Sequence, residues 1–297
     1  MTSVCIRGTS REDLLAIPAV ALGFHPSDSV VILALEEGLL RLTGRVCLDW
    51  HRTHYDDTVA QISAVVDELS SCSFVLIGYG EGEQAARSVR ELADVVGPHA
   101  VLDALVVEDG RYWSLDGDEG PRPFLFEDSS VAAQAVFGGL VIAGSREEAI
   151  APVMEHRPAP RASVRAARRE AAAMSPGEAM ARTRLLMETE GELSEGQALL
   201  LAMLLADGDR MAAVLTGLKT ATADRAFGHL TAARRVAPRG STANVLALLA
   251  VACWLSGRGA AQTACLDQLV EVAPGHPVSG LLARLHRQGI PPGWWDE

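Results

Sequence analysis

SVVILALEEGLLRLTGRVCLDW, residues 29–50, sets the architecture of the N-terminal half of this chain. Its first seven residues form a continuous β-branched and apolar run, which is typical of a central strand buried on both faces. After a Glu-Glu-Gly turn, apolar and polar residues alternate from residue 39 to residue 50, the period of a second strand. The segment therefore predicts a β-hairpin within a larger sheet.

The residues around this hairpin predict further strands and helices. Helical spacing marks residues 55–70 and 85–96, and strand-like runs mark residues 74–77, 101–107 and 111–115. A capping box at residues 9–12 starts a first helix, which Pro18 should end or kink. The order predicts an α+β or α/β fold for residues 1–150, with a mixed sheet flanked by helices.

The second half of the chain reads as helical. Three prolines lie between residues 152 and 160, and arginines follow at 161, 165, 168 and 169, so residues 151–174 predict a linker and a basic helix. Residues 175–297 predict an all-helical domain. Within it, residues 242–275 resemble the second half of a tetratricopeptide repeat (TPR) and predict a TPR-like helix pair.

Composition excludes several classes of chemistry. The formal charge of −12 argues against nucleic-acid binding, which depends on basic surfaces. Lys219 is the only lysine, so lysine-dependent Schiff-base and P-loop chemistry is excluded from the N-terminal domain. The bias towards arginine and alanine also favours a GC-rich bacterial source.

Two further features bear on location. The longest apolar run, residues 245–255, has 11 residues and is too short to cross a bilayer. Five scattered cysteines without a Cys-x-x-Cys motif favour a reduced, cytoplasmic protein, and the N-terminus lacks the basic start of a signal peptide.

A candidate ligand-binding crevice lies between a loop and a glycine-rich turn. The loop contributes Phe24, His25, Asp28 and Ser29, which either contact a ligand or only build a turn that caps backbone groups. The turn Gly78-Tyr79-Gly80 follows a strand and opens a helix, the usual ligand location in open α/β sheets. Glu81 and Glu83 follow it, and their charge argues against a dinucleotide.

Arg45 and Asp49 are the remaining candidates for polar contacts in that crevice. Both should lie on the polar face of the second strand, where an ion pair or a solvated edge is the simpler interpretation. The sequence His51-x-x-His54 lacks the helical His-Glu-x-x-His pattern, so we expect no metal site. No cofactor motif is present, and no cofactor is expected.

The chain as a whole resembles the actinobacterial domain-of-unknown-function family 4192. The resemblance rests on LLAIPAVALGFHPSDSVVIL (14–33), VLIGYG (75–80), GRYWSL (110–115) and AAQAVFGGLVIAGSREE (132–148). It implies no activity, because the family has none assigned. Where other members carry a cysteine-rich stretch after the Trp-Ser motif, this chain has Asp116-Gly117-Asp118-Glu119-Gly120.

Two functional hypotheses follow. The first is a non-catalytic interaction or regulatory role, in which the helical domain binds another protein or a second copy of the chain. The alternative is a small-molecule-binding protein or enzyme that uses the crevice of the N-terminal domain. Neither requires a membrane.

Overall fold

The computed structural model describes residues 6–117, 120–287, 290 and 292–296. In its described part the chain divides into two compact units, an N-terminal unit of residues 6–146 with residues 286–287, and a C-terminal unit of residues 147–285, 290 and 292–296. Each unit has its own hydrophobic core. The architecture is α+β, as predicted.

The N-terminal unit contains six strands and five complete helices in its described part. The strands are β1 (Ser29–Glu36), β2 (Leu39–Cys47), β3 (Ser73–Tyr79), β4 (Val101–Glu108), β5 (Arg111–Ser114) and β6 (Arg122–Pro123). The helices are α1 (Arg11–Leu22), α2 (Trp50–Thr53), α3 (Tyr55–Glu68), α4 (Gly82–Val96) and α5 (Ser130–Phe137).

These strands form one mixed sheet in the order β2-β1-β3-β4-β5-β6. β3 and β4 are parallel, with α4 as the connection between them, and the other neighbours are antiparallel. The predicted hairpin is present. Its turn places Glu37 and Gly38 at φ of 51° and 78°, the left-handed conformations that a tight hairpin turn requires.

Apolar residues cover both faces of this sheet. On one face Val30 and Leu76 pack with Val89 and Leu92 of α4, and on the other Val31 and Leu33 pack with residues of α1. The first four residues of β1 are accordingly all buried. The continuous apolar run in the sequence therefore reports a central strand, as predicted.

One local prediction in this unit is wrong, and one of the two alternatives for Pro18 is excluded. β2 ends at Cys47, and Trp50 begins α2, so the alternating pattern does not continue as a strand to residue 50. Trp50 instead turns inward, and its indole nitrogen donates to Ser88 Oγ at 2.9 Å. Of the two alternatives for Pro18, an end of the helix is excluded, because α1 continues to Leu22 and is terminated by Gly23, whose φ is 78°.

The C-terminal unit is helical throughout its described part. Its helices are α6 (Arg146–Met154, whose first residue belongs to the N-terminal unit), α7 (Arg161–Ala173), α8 (Pro176–Glu188), α9 (Glu195–Leu204), α10 (Gly208–Gly217), α11 (Ala223–Val236), α12 (Thr242–Leu255), α13 (Gly259–Val272) and α14 (Pro277–Arg287). Consecutive helices α11, α12 and α13 pack on one another, and α9 packs on α11. Capping boxes at Ser175–Glu178 and Ser194–Gln197 start α8 and α9.

The long apolar run of residues 245–255 lies within α12. Every residue of this run is buried, so the helix is the centre of the unit. Among the described residues, no helix has the length and apolar character needed to cross a membrane.

The segment predicted as a linker is packed into the C-terminal unit. Val153 of α6 and Ala167 of α7 belong to its core. Between these helices, the backbone nitrogen of Arg157 donates to the carbonyl of Arg235 at 2.8 Å, and His156 Nε2 lies 3.0 Å from the carbonyl oxygen of Ala237. Hydrogen bonds therefore hold the connection between α6 and α7 against the C-terminal end of α11.

Candidate functional site

Three chain segments meet around an open cleft at one end of the sheet's central strands. They are residues 26–28 before β1, residues 79–81 after β3 and residues 107–109 at the end of β4. The cleft has a volume of about 430 Å³. It lies at the carboxyl ends of the parallel strands β3 and β4, where ligands commonly bind in open α/β sheets.

Backbone hydrogen bonds hold two of these segments together and tie the third to the residue that follows β2. Gly80 N donates to the carbonyl of Val107 at 3.2 Å, and Leu48 N donates to the carbonyl of Asp28 at 3.1 Å. Gly80 has a φ of 133°, and a Cβ there would lie 2.9 Å from Leu48 Cδ1 and 3.1 Å from Asp28 Oδ1. Glycine is therefore required at this position for both conformation and space.

Four carboxylates line the cleft, and none of the described residues that line it is basic. They belong to Asp28, Glu81, Glu108 and Asp109. Glu81 accepts from Gln84 N at 3.0 Å, and Glu108 Oε1 accepts from Gly82 N at 2.7 Å. Because these two carboxylates already occupy the first turn of α4, they keep a phosphate from binding there.

Asp28 and Asp109 differ from this pair. Both are exposed, and neither carboxylate accepts a hydrogen bond from any residue that the model describes. Both have positive φ, 42° for Asp28 and 45° for Asp109. Their carboxylates are therefore the lining groups that remain available to a ligand.

Among the predicted residues, Asp28, Tyr79 and Gly80 line the cleft. The Tyr79 side chain is buried on the opposite side, where its hydroxyl donates to the carbonyl of Leu15 at 3.1 Å. That burial raises the pKa of the phenol far above its ordinary value, so it is no acid–base group at neutral pH. Tyr79 thus bounds the cleft while its hydroxyl anchors α1.

Gly78 and Ser29 do not line the cleft. A Cβ at Gly78 would lie 2.9 Å from Val89 Cγ2, so this glycine allows α4 to pack closely on β3. Ser29 is fully buried and is paired with Tyr79 across the strands. Its hydroxyl finds no hydrogen-bond partner within the described part of the chain.

Phe24 and His25 are not among the residues that line the cleft. Phe24 is buried and forms an isolated parallel bridge with Ala143, whose carbonyl accepts from His25 N at 3.0 Å. The His25 ring meets Phe126 edge-to-face, with centroids 4.8 Å apart. Both residues therefore attach the loop to the segment that follows β6.

Arg45 contacts the loop that precedes β1, whereas Asp49 pairs with a residue of α2. Arg45 Nη2 donates to the carbonyl of Ser27 at 3.1 Å, and its guanidinium lies 6.0 Å from the centre of the Phe24 ring. Asp49 lies beyond the end of β2, and its carboxylate is 3.8 Å from Arg52 Nη2. The structure does not bring Arg45 and Asp49 into one site.

Glu108 and Asp109 were missed in the sequence as cleft residues. The sequence contains a signal for these two residues. It predicts β3 and β4 as strands joined by one helix, which favours a parallel pair, and the carboxyl ends of parallel strands lie side by side.

Other candidate features lie outside the cleft. Within the described residues, no group of three His, Cys, Asp or Glu side chains could hold a metal ion. The side chain of His51 lies outside the described residues. In the C-terminal unit, four arginines of α7 are exposed, namely Arg161, Arg165, Arg168 and Arg169.

The fold and cleft define an α+β domain with an acidic ligand-sized cleft, followed by a helical domain. The family model described as "Domain of unknown function (DUF4192)" matches residues 12–293. The chain belongs to this family. No curated protein and no solved structure matches the chain significantly.

Proposed function

We propose that the N-terminal unit binds a small cationic molecule, such as an amine or a guanidinium compound, in the cleft at the ends of β3 and β4. The observation that carries the proposal is the convergence of three distant segments, 26–28, 79–81 and 107–109, around one open space. Short loops at the carboxyl ends of parallel strands are where open α/β sheets place ligands.

The charge of the lining supports a cationic ligand. Two of the four carboxylates are held by backbone amides of α4, which leaves Asp28 and Asp109 to pair with the ligand. An ammonium or guanidinium group between them would gain charge-assisted hydrogen bonds. An anionic ligand would meet four negative charges and no positive one from the lining residues.

The test uses variants that preserve the backbone. Asparagine tolerates left-handed conformations, so Asp28→Asn and Asp109→Asn should leave the turns intact. The matched control is Asp56→Asn with Asp57→Asn, which removes the same two charges from the exposed first turn of α3. Spermidine, agmatine and arginine methyl ester are the cationic probes, and calorimetry or a thermal-shift assay measures their binding.

We expect at least one probe to bind the wild-type chain, with affinity at least tenfold lower in the cleft variant and unchanged in the control variant. Native mass spectrometry of the purified protein extends the test to a ligand that copurifies. Equal losses of affinity in both variants would mean that the probes bind by general charge attraction, and would refute the cleft as their binding site.

A second candidate function is protein interaction through the C-terminal unit, with another protein or with a second copy. Its specific support is α7, where four arginines are exposed while Ala167 faces the core. None of these arginines forms an ion pair with a residue in the described ranges. A basic stripe of this kind suits carboxylates on a partner, because guanidinium binds them in a bidentate geometry.

The TPR-like interpretation of residues 242–275 belongs to this second proposal. It draws support from α12 and α13, which follow one another with a short connection and pack closely. Helical repeats of this kind usually present binding surfaces, so the interpretation agrees with an interaction role.

Light scattering after size exclusion tests the interaction. A triple variant, R161Q/R165Q/R168Q, is compared with R87Q/R90Q/R111Q, which removes three charges from the N-terminal unit. We expect the wild type and the control to exceed the 31.5 kDa chain mass at low salt, and the α7 variant to match it. This candidate would be refuted if the wild-type protein runs as a monomer and no other protein copurifies with it.

We also propose a cytoplasmic location and a bacterial, actinobacterial source. The scattered cysteines and the arginine-rich, lysine-poor composition support this. The four cysteines in the described residues are all free thiols. Fractionation of the source cells with an antibody to the chain tests the location.

A further inference from the structure

Arg234 is a buried charge in the C-terminal unit. It lies near the end of α11, and only 8% of its surface is exposed. Burial lowers the pKa of its guanidinium, with a smaller opposing influence from Cys265, yet arginine stays protonated in proteins. The unit therefore carries a permanent positive charge inside its helical packing.

This charge has one hydrogen-bond partner among the described residues. Arg234 Nη2 donates to Gln268 Oε1 at 2.7 Å, while Nε and Nη1 are buried without a partner. Gln268 is itself fixed, because its amide nitrogen donates to the carbonyl oxygens of Ala264 at 3.0 Å and Val153 at 3.3 Å. Within the described ranges, no carboxylate lies within ion-pair distance of Arg234.

Thr231 adds a third unused donor one turn earlier on the same helix. It is 6% exposed, and its hydroxyl is also buried without a partner in the described structure. Helical threonines commonly donate to the carbonyl four residues earlier, as Thr183 does to Ala179 at 2.8 Å in this unit. Residues three apart on a helix share a face, so the side chains of Thr231 and Arg234 leave α11 on the same side.

Three buried donors on one face of α11, two of them on the Arg234 guanidinium, lack an acceptor among the described residues. An uncompensated buried charge is strongly unfavourable, and buried polar groups are nearly always paired. We propose that Thr231 and Arg234 form an internal binding site for one small anion, a halide or the carboxylate of a small acid. The anion accepts hydrogen bonds from Nε or Nη1 of Arg234 and from the hydroxyl of Thr231.

The site is tested with thermal unfolding at constant ionic strength. Sodium chloride and sodium formate replace sodium gluconate stepwise, since gluconate is too bulky for a buried site. We expect the melting temperature of the wild-type chain to rise and then saturate with chloride or formate. A flat response to both anions would overturn the proposal, and the more effective anion distinguishes a halide from a carboxylate site.

Two matched variants locate the response. Arg234→Met removes the charge and keeps most of the volume, and such replacements of buried charges are often tolerated. Arg235→Met is the control, because the neighbouring guanidinium is half exposed and pairs with Glu155 at 3.1 Å. We expect the anion response to vanish in R234M and to persist in R235M, and persistence in R234M would overturn the proposal.

Thr231→Val provides a readout that does not depend on removing the charge. It keeps the shape of the side chain and deletes the hydroxyl, so we expect a several-fold higher half-saturating anion concentration. An unchanged half-saturating concentration would exclude Thr231 from the site.

Discussion

The carboxylate of Asp13 accepts a 2.8 Å hydrogen bond from the backbone nitrogen of Ser130, 117 residues further along the chain. The same oxygen accepts from the Ser130 hydroxyl at 2.8 Å, and the other oxygen accepts from Thr9 N at 2.9 Å. Asp13 lies in the first turn of α1, and Ser130 begins α5. One buried carboxylate thus joins the N-termini of two helices, where unpaired amides and the helix dipole favour negative charge.

Replacing this carboxylate should destabilise the N-terminal unit. We expect Asp13→Asn to lower the free energy of unfolding by about 2 kcal/mol, because an amide nitrogen leaves a buried donor without an acceptor. Urea unfolding measures the change. Asp56→Asn, in the exposed first turn of α3, should stay within about 0.5 kcal/mol of the wild type.

Asp13 should also make stability sensitive to acid. Burial raises the pKa of Asp13, but hydrogen bonds from Thr9, Ser130 and Val131 outweigh it, so the net pKa is below the ordinary value. A lowered folded-state pKa contributes stability above the unfolded aspartate pKa of about 3.9, and this contribution disappears as pH falls through the folded-state pKa. Wild-type stability should fall more steeply than that of D13N below about pH 4, and parallel curves would contradict the assignment.

Gly80 should tolerate no side chain. In Gly80→Ala, the new Cβ meets Leu48 and Asp28 while the backbone keeps a φ of 133°, so we expect a loss of about 2 kcal/mol or more. Gly177→Ala is the control, because nothing lies within 4 Å of a Cβ at this position in α8. That substitution should be neutral or stabilising by up to about 1 kcal/mol. Thermal unfolding compares the two variants.

The two C-terminal tryptophans should differ sharply. The Trp295 indole nitrogen donates to the carbonyl of Leu218 at 3.1 Å, and its ring meets Trp254 edge-to-face with centroids 5.7 Å apart. Trp294 is 65% exposed. We expect Trp295→Ala to cost about 2–3 kcal/mol in urea unfolding and Trp294→Ala less than about 0.5 kcal/mol, because only the first loses packing and a hydrogen bond. Similar losses in both variants would contradict this arrangement.

Local signals in the sequence specified the secondary structure. The apolar run at residues 29–35 is buried on both faces because it is β1, and the Glu37-Gly38 turn adopts the left-handed conformations expected of a tight hairpin. Capping boxes at Ser175 and Ser194 start helices where the sequence places them. Such features depend on neighbouring residues, so periodicity and turn chemistry suffice to read them.

Pairing between distant segments was fixed at the tertiary level. The parallel register of β3 and β4 brings Gly80 beside Val107 and places Glu108 at the start of α4, which creates the cleft. The burial of Arg234 follows from the packing of α11 against neighbouring helices, although its sequence context resembles an exposed arginine pair. These contacts join residues tens of positions apart, and their energies depend on burial and geometry that no local pattern contains.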